Sequence, residues 1–426
     1  MFVRNLLSTA ICLLVFSAPA FGQAPMPMPP GHTHETMAMP GNPLGIDHTR
    51  DGSGTSWLPD ASPMQGLMKH RGPWMLMLHG NAFVQFMDAG SRRGDRQFGS
   101  VNWIMGMAQR PVAGGQLQFR GMLSVEPLTV GRCGYPNLLQ SGELCRGTPL
   151  HDRQHPHDLF MEVAVQYRRR LTDAVALELY GGPSAEPALG PTAFPHRLSA
   201  MPNPIAPIAH HWLDATHISF GVVTAGIYGK KWKTEASLFN GREPDDRRYN
   251  FDLAALDSYS GRLWLMPTPA WALQISAGHL NEAESPRAGH RETVDRVTAS
   301  ATHHRLVNNR VWATTVAWGR NREAHHASSA FNAETAADVT TMDSVFARAD
   351  IAVKTAKDLA LPLAADTQFT IGKLQIGYTR WLAEGRGMKA GIGGSVGVAI
   401  VPTTLRSFYG RGSVGEYNVF LTVRPH

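Results

Sequence analysis

The chain has 426 residues, of which 43% are hydrophobic and only 17% charged, with a formal net charge of +6. That charged share is below the roughly 25% of soluble domains, while the apolar share is too high for intrinsic disorder. Lysine and arginine are scattered rather than massed, which argues against nucleic acid as a partner, and past the first 22 positions no apolar run reaches the ~18–20 residues of a membrane-spanning helix.

The N-terminus carries Arg4, an apolar stretch over 6–18, and the small-x-small triplet Ala20-Phe-Gly22. This is the pattern of a secretory signal peptide cleaved after Gly22. Cys12 falls inside the apolar stretch, with further apolar residues after it, and so is no lipid-attachment cysteine. Two cysteines remain in the exported chain, Cys133 and Cys145, in a segment containing Gly and Pro. An oxidising compartment favours a disulfide between them over two free thiols. Residues 23–70 follow as a tail or plug-like segment, rich in Pro, Gly and Met at first, without periodicity up to about residue 60.

Residues 71–426 are expected to form the body, whose pattern is period two, the geometry of strands. Val101, Trp103, Met105 and Met107 alternate with Asn102, Ile104, Gly106 and Ala108. The same rhythm recurs at 117–124, 159–168, 175–180, 259–265, 312–318, 345–351 and 416–423. Turn residues bound the units, as in Tyr228-Gly-Lys-Lys, Thr268-Pro-Ala-Trp and Arg305-Leu-Val-Asn-Asn. One face is apolar and often starts or ends with Trp or Tyr, as at Trp74, Trp232, Trp271, Trp381 and Tyr417, an arrangement suited to lipid interfaces. The other carries small residues and charges, including Arg120, Glu162, Arg168, Glu178, Arg262, Arg348 and Asp350. In lipid only a closed barrel satisfies every backbone group of a sheet. The expectation is an all-β, antiparallel transmembrane barrel of about 14–16 strands in the outer membrane of a Gram-negative bacterium. A soluble propeller would show a blade-length repeat, and none is found. Outer-membrane lipid and the barrel assembly machinery are the implied partners.

The candidate chemistry lies in 19 histidines and 18 methionines. The tail holds Met26, Met28, His32, His34, Met37, Met39 and His48, and thioether and imidazole together suit Cu(I), Ag(I) and, through imidazole, Cu(II). A second cluster is His151-Asp-Arg-Gln-His155-Pro-His157-Asp158, in which Asp158 is positioned to orient a ring. A third, His196 with His210, His211 and His217, falls in and just after a proline-rich loop over 183–216. Loops of such length are functional or fold into a lumen. If this one folds inward, clusters two and three meet; the alternative is a hydrogen-bonded network that only braces the loop. His303-His304 and His325-His326 read as turn-side surface residues. No His-Glu-x-x-His is present, and no enzyme is expected.

The stretches Thr55-Ser-Trp57-Leu-Pro-Asp60, Asp152-Arg-Gln-His-Pro-His157-Asp, Gly190-Pro-Thr-Ala-Phe-Pro-His196-Arg, 209–221 and the ending Val419-Phe-Leu-Thr-Val-Arg-Pro425 resemble a group of poorly characterised bacterial outer-membrane barrel proteins. The His/Met tail resembles the N-terminal region of copper-resistance B-type outer-membrane proteins, which implies copper handling at the outer membrane. The resulting expectation is a channel or binding protein for a small polar solute, with copper ion the candidate. The alternatives are a general porin without a metal role, a barrel-borne hydrolase, or an adhesive surface protein displaying loops at 183–216 and 321–341.

Overall fold

The computed structural model describes residues 42–426, save 288, 289, 309, 325 and 426. The candidate leader and Met26, Met28, His32, His34, Met37 and Met39 of the tail lie outside the described residues.

In chain order, β1 (Leu67–Arg71) folds back on β2 (Trp74–Ala89), followed by β3 (Arg96–Val112) and β4 (Gly115–Leu123). The hairpin of β5 (Tyr135–Cys145) and β6 (Thr148–Gln154) interrupts the wall, which resumes with β7 (Phe160–Arg170) and β8 (Ala176–Ser184). Then come β9 (Val222–Tyr228), β10 (Trp232–Phe239), β11 (Ser258–Leu265), β12 (Trp271–Arg287), β13 (His290–Val307) and β14 (Arg310–Arg322). The wall ends with β15 (Ala327–Asp338), β16 (Asp343–Thr355), β17 (Gln368–Gly385), β18 (Met388–Ile400) and β19 (Ser413–Pro425). Among the described residues, sixteen of these nineteen strands, all but β1, β5 and β6, form one antiparallel ring, closed by β19 on β2 through pairs such as Val423↔Ala82.

Closure leaves two faces per strand, and residues choose between them at period two. Phe119, Val165, Leu179, Leu263, Val316, Ile376 and Leu421 stand exposed on the outside. The seven charged residues from Arg120 to Asp350 named above are all buried inside. Connections at one end of the ring are short, over 113–114, 171–175, 229–231 and 386–387. The long segments 124–159, 185–221, 240–257, 356–367 and 401–412 all leave from the other end.

A wall of sixteen strands encloses more space than its own side chains fill. Here chain entering from both ends occupies it. Residues 42–66 pack Leu44, Ile46 and Trp57 against Tyr228, Trp264 and Met266 of the wall and its turn. Residues 185–221 descend from the long-loop end and meet them, with Ala193 N–H donating to Ser53 Oγ at 2.8 Å and Thr192 Oγ1 to the Trp57 carbonyl at 3.3 Å. The inward course of 185–221 depends on close approaches. Gly190 adopts φ +84°, and a Cβ there would sit 2.0 Å from the Leu213 carbonyl oxygen. Gly319 on β14 likewise admits the Trp212 backbone, whose oxygen lies 2.2 Å from where a Cβ would be. The β5–β6 hairpin caps this segment, as Asn137 and Gln140 donate side-chain N–H groups to the carbonyls of Ala206 and Pro207. A disulfide joins Cys133 to Cys145, with Cα atoms 5.5 Å apart.

Four sequence expectations are corrected here. On β3 the apolar series points inward: Trp103 and Met105 are buried while Ile104 is 52% exposed. An inward segment packs there, with His196 lying 4.7 Å from the Trp103 ring. Trp381 also points inward, donating Nε1–H to Ser344 Oγ, and so is no interface aromatic. Most of the expected surface loop at 321–341 is β15, whose many Ala, Ser and Asn residues weaken its period-two contrast. His304 is fully buried and bonded to Ser62 Oγ at 2.8 Å, so it anchors the N-terminal inward segment rather than lying at a surface turn.

Candidate functional site

The lumen is laced with buried ion pairs between wall and inward segments. Arg168 on β7 bridges Glu178 on β8 and Asp51 at 2.7 Å each. Arg197 of the inward loop reaches Asp214 at 2.6 Å and Glu334 on β15 at 2.7 Å, and Glu334 also accepts from Arg348 at 3.2 Å. Lys233 is held by Glu178 and Glu235, and Arg262 by Glu235 at 2.9 Å. Each of these charges is matched, and an unpaired one in this environment would cost several kcal/mol. Glu186, facing Arg262 at 3.7 Å, is the exception in strength: burial outweighs the guanidinium and pushes its carboxyl up to about 8.

At the centre of 185–221 the second and third histidine clusters meet. His210 and His217 stand 5.2 Å apart between ring centroids, His157 and His217 5.4 Å, and His210 and His211 5.5 Å. His155 lies 6.2 Å from His211 and 6.4 Å from His210. Phe194 packs on His157, His210 and His217. His151 stays apart, on β6, with its ring beside Asp152 at 3.2 Å.

Three of these rings are fixed through Nδ1. His157 is bonded to the Glu126 carboxylate at 2.9 Å, His210 to Asp214 at 2.8 Å, and His217 to the Asp214 carbonyl at 2.8 Å. Since that carbonyl only accepts, His217 carries its proton on Nδ1 and its lone pair on Nε2. Nε2 of His217 and of His211 is buried without a hydrogen-bond partner among the described residues. Burial holds His217 down to about 3, with His210 and His157 adding to the effect. Burial does the same for His211, helped by Lys354 and Arg296. Burial also lowers His155 and His210, the latter against the pull of Asp214. Asp214 stays ionised against its burial because Arg197 faces it.

The result is a set of imidazoles, with His155, His210, His211 and His217 held toward the neutral form by burial and several rings oriented by a fixed acceptor behind them, as metal-ligating histidines are. Among the described residues, no three His, Cys, Asp or Glu side chains have their donor atoms already gathered for an ion. A cavity of about 30 Å³ beside His155 and His211, bounded also by Glu243 and Arg296, has room for water or a single ion.

Sequence reasoning missed who orients the rings. Asp158 turns away to Arg248 at 3.3 Å, and burial raises its carboxyl to about 6. Glu126 holds His157 instead, and Glu243 faces His211 at 3.4 Å. It also missed a wall cluster of Met75, Met77, His79, Met105 and Met107. The signal for that cluster was present, as Met-x-Met-x-His on one strand and Met-x-Met on the next share a face.

No family model and no curated protein matches the chain. Among solved structures it is similar to outer-membrane-expressed OmpT of Vibrio cholerae, at 7% identity over 84% of this chain and 99% of that chain, TM-score 0.47. It is similar to the anion-selective porin of Comamonas acidovorans at 9% identity over 83% and 99%, TM-score 0.46. A third is Salmonella typhi OmpF in complex with daunomycin, at 8% identity over 84% and 100%, TM-score 0.49. Likenesses this distant add nothing to the fold, which rests on the strand pairing, nor to function.

Proposed function

We propose that the chain is a Gram-negative outer-membrane β-barrel whose lumen binds or passes a small polar solute, with copper ion the solute suited to its histidines. The membrane part is supported by the closed ring with apolar side chains outside and by turns short at one end and long at the other. On this reading the short-turn end faces the periplasm. The observation that carries the solute reading is the convergence of His155, His157, His210, His211 and His217 on one inward segment, with three rings tied through Nδ1. Neutral imidazole is a ligand for Cu(II). Such a cluster would slow or select cations crossing the lumen.

The test is a Cu(II) titration of the mature protein in detergent beside single-channel recording. Binding that weakens in a His157→Gln, His210→Gln, His217→Gln variant, with copper-dependent current in the parent alone, supports the reading. Equal binding in both overturns the copper part. A conductance indifferent to copper and to these replacements would favour the general porin, for which the charged inner wall is the supporting observation.

A further inference from the structure

The inner wall carries a second ligand set of different chemistry, on strands rather than on the inward loop. Met75, Met77 and His79 occupy alternate positions of β2, and Met105 and Met107 alternate positions of β3. The register sets His79 opposite Met105 and Met77 opposite Met107. His79 Nε2 lies 3.1 Å from the Met105 sulfur. These five side chains border one cavity of about 30 Å³, closed on the luminal side by His48 from the N-terminal inward segment. The His48 side chain is only 7% exposed, and its Nε2 has no hydrogen-bond partner among the described residues.

The geometry points to a binding site for a soft univalent metal cation, of the Cu(I) and Ag(I) class, formed by Met75, Met77, Met105, Met107, His79 and His48. Thioether sulfur and neutral imidazole are ligands that class prefers and hard cations do not. The cavity holds one ion or one to two waters and nothing larger. Methionine also serves as a packing filler, but a filler role leaves the unfilled space and the orphaned His48 nitrogen unexplained. Two charged groups border the cavity. Arg120 is neutralised by Glu162 at 2.9 Å, and Asp51 by Arg168 at 2.7 Å, so the pocket adds no large net repulsion to a single positive charge. The wall fixes five of the donors at strand register, while His48 arrives with the inward segment, so occupancy and docking of 42–66 support each other. This site shares with the copper reading above only the premise that the barrel meets metal ions. Its ligands, ion class and position on the wall are separate.

The probe is Ag(I), which undergoes no redox change during the measurement. Full mature protein in detergent is titrated calorimetrically, with Ag–S contacts read by X-ray absorption. Replacing Met75, Met77, Met105 and Met107 together by leucine conserves volume and apolarity. The expected result is loss of one bound Ag(I) equivalent and of its sulfur scattering, while the His157→Gln, His210→Gln, His217→Gln variant keeps both. His48→Ala leaves the wall intact and is expected to weaken that equivalent by at least about tenfold. It carries the test if the leucine variant does not fold. Retention of the equivalent with unchanged sulfur scattering in the leucine variant, or unchanged affinity in His48→Ala, overturns the proposal. Loss in the His157, His210 and His217 variant, with retention in the leucine variant, would place that equivalent at the imidazole cluster instead and overturn the proposal.

Discussion

Replacing Arg197 by methionine tests whether ion pairing holds the inward loop in the lumen. Arg197 is fully buried and ties Asp214, on its own segment, to Glu334 on the barrel wall. Removing one partner of a buried pair costs ~3–5 kcal/mol, because the abandoned charge stays desolvated. Here the lower figure applies, since neither carboxylate is fully abandoned. Glu334 retains Arg348 at 3.2 Å and the Ser199 hydroxyl at 3.0 Å. Asp214 retains His210 and the Phe194 N–H, both at 2.8 Å. About 3 kcal/mol corresponds to a shift of roughly a hundredfold in the docked-to-undocked ratio of the loop. The wall is held by its own strand ladder, so its resistance to heat should change much less. Two assays read this: the rate at which protease cuts within 185–221 in reconstituted vesicles, and the single-channel current. Both should rise. Arg197→Lys should fall between, because an ammonium cannot span both carboxylates as the guanidinium fork does. Cleavage and current equal to the parent would refute the view that this network holds the loop.

Replacing Cys133 and Cys145 by serine opens a loop of sequence separation 12 and should cost about 3 kcal/mol of local stability on the chain-entropy view. Hydrogen exchange should quicken across 135–154 and leave the wall strands unchanged. Ile376 is 60% exposed on the outer face. Ile376→Arg should cost ~2–4 kcal/mol if that face sits near the bilayer midplane, measured by unfolding from vesicles, whereas Leu253→Arg in the long-loop end should cost almost nothing. Acid should loosen the inward loop. His211 and His217, held down to about 3 by burial, stay neutral in the fold while the unfolded chain takes up protons below about 6.5. Their contribution is complete above that value and is lost as pH falls toward 3. Glu186 and Asp158 run the other way, because burial raises them to about 8 and about 6 and their protonated forms favour the fold at lower pH. The two sets partly cancel between about pH 4.5 and 6, so protease cutting within 185–221 should rise mainly below about pH 4. A flat profile down to pH 3 would contradict the burial of these rings.

Much of the wall is legible in the sequence because period two is a local property. The alternation over 175–180, 259–265, 312–318 and 416–423 matches the outward and inward sides of β8, β11, β14 and β19. β15 escaped notice because residues such as Ala333, Thr335 and Ala336 scarcely differ in polarity between faces. The histidine clusters were visible as composition, and their meeting followed from a loop too long to be a surface turn. Asp214, which orients His210 and His217, lies within four residues of both, but the partners of the other rings were not visible, since Glu126 lies 31 residues from His157, and Glu243 belongs to a different long segment from His211. No local pattern encodes such a pairing.

The inverted face of β3 has a more general cause. Apolar residues mark the lipid side of a barrel strand only where water wets the other side. Here much of the lumen is packed with chain, so stretches of the inner face are themselves a core, and Trp103, Met105, Trp264, Phe346, Trp381 and Phe420 all serve there. The inner face therefore records what packs on it. Charges line β4, β7, β8, β10 and β11, opposite Asp51, Thr55 and Glu186. Methionine and aromatic residues line β2 and β3, opposite His48 and His196. A strand whose two faces are both apolar over several residues, as β2 is from Trp74 to Leu78, thus marks where an inward segment docks on wall side chains that carry no charge. At that stretch the wall meets its inner partner through sulfur and imidazole, so the wall's own soft-ligand chemistry concentrates there rather than on the charged strands.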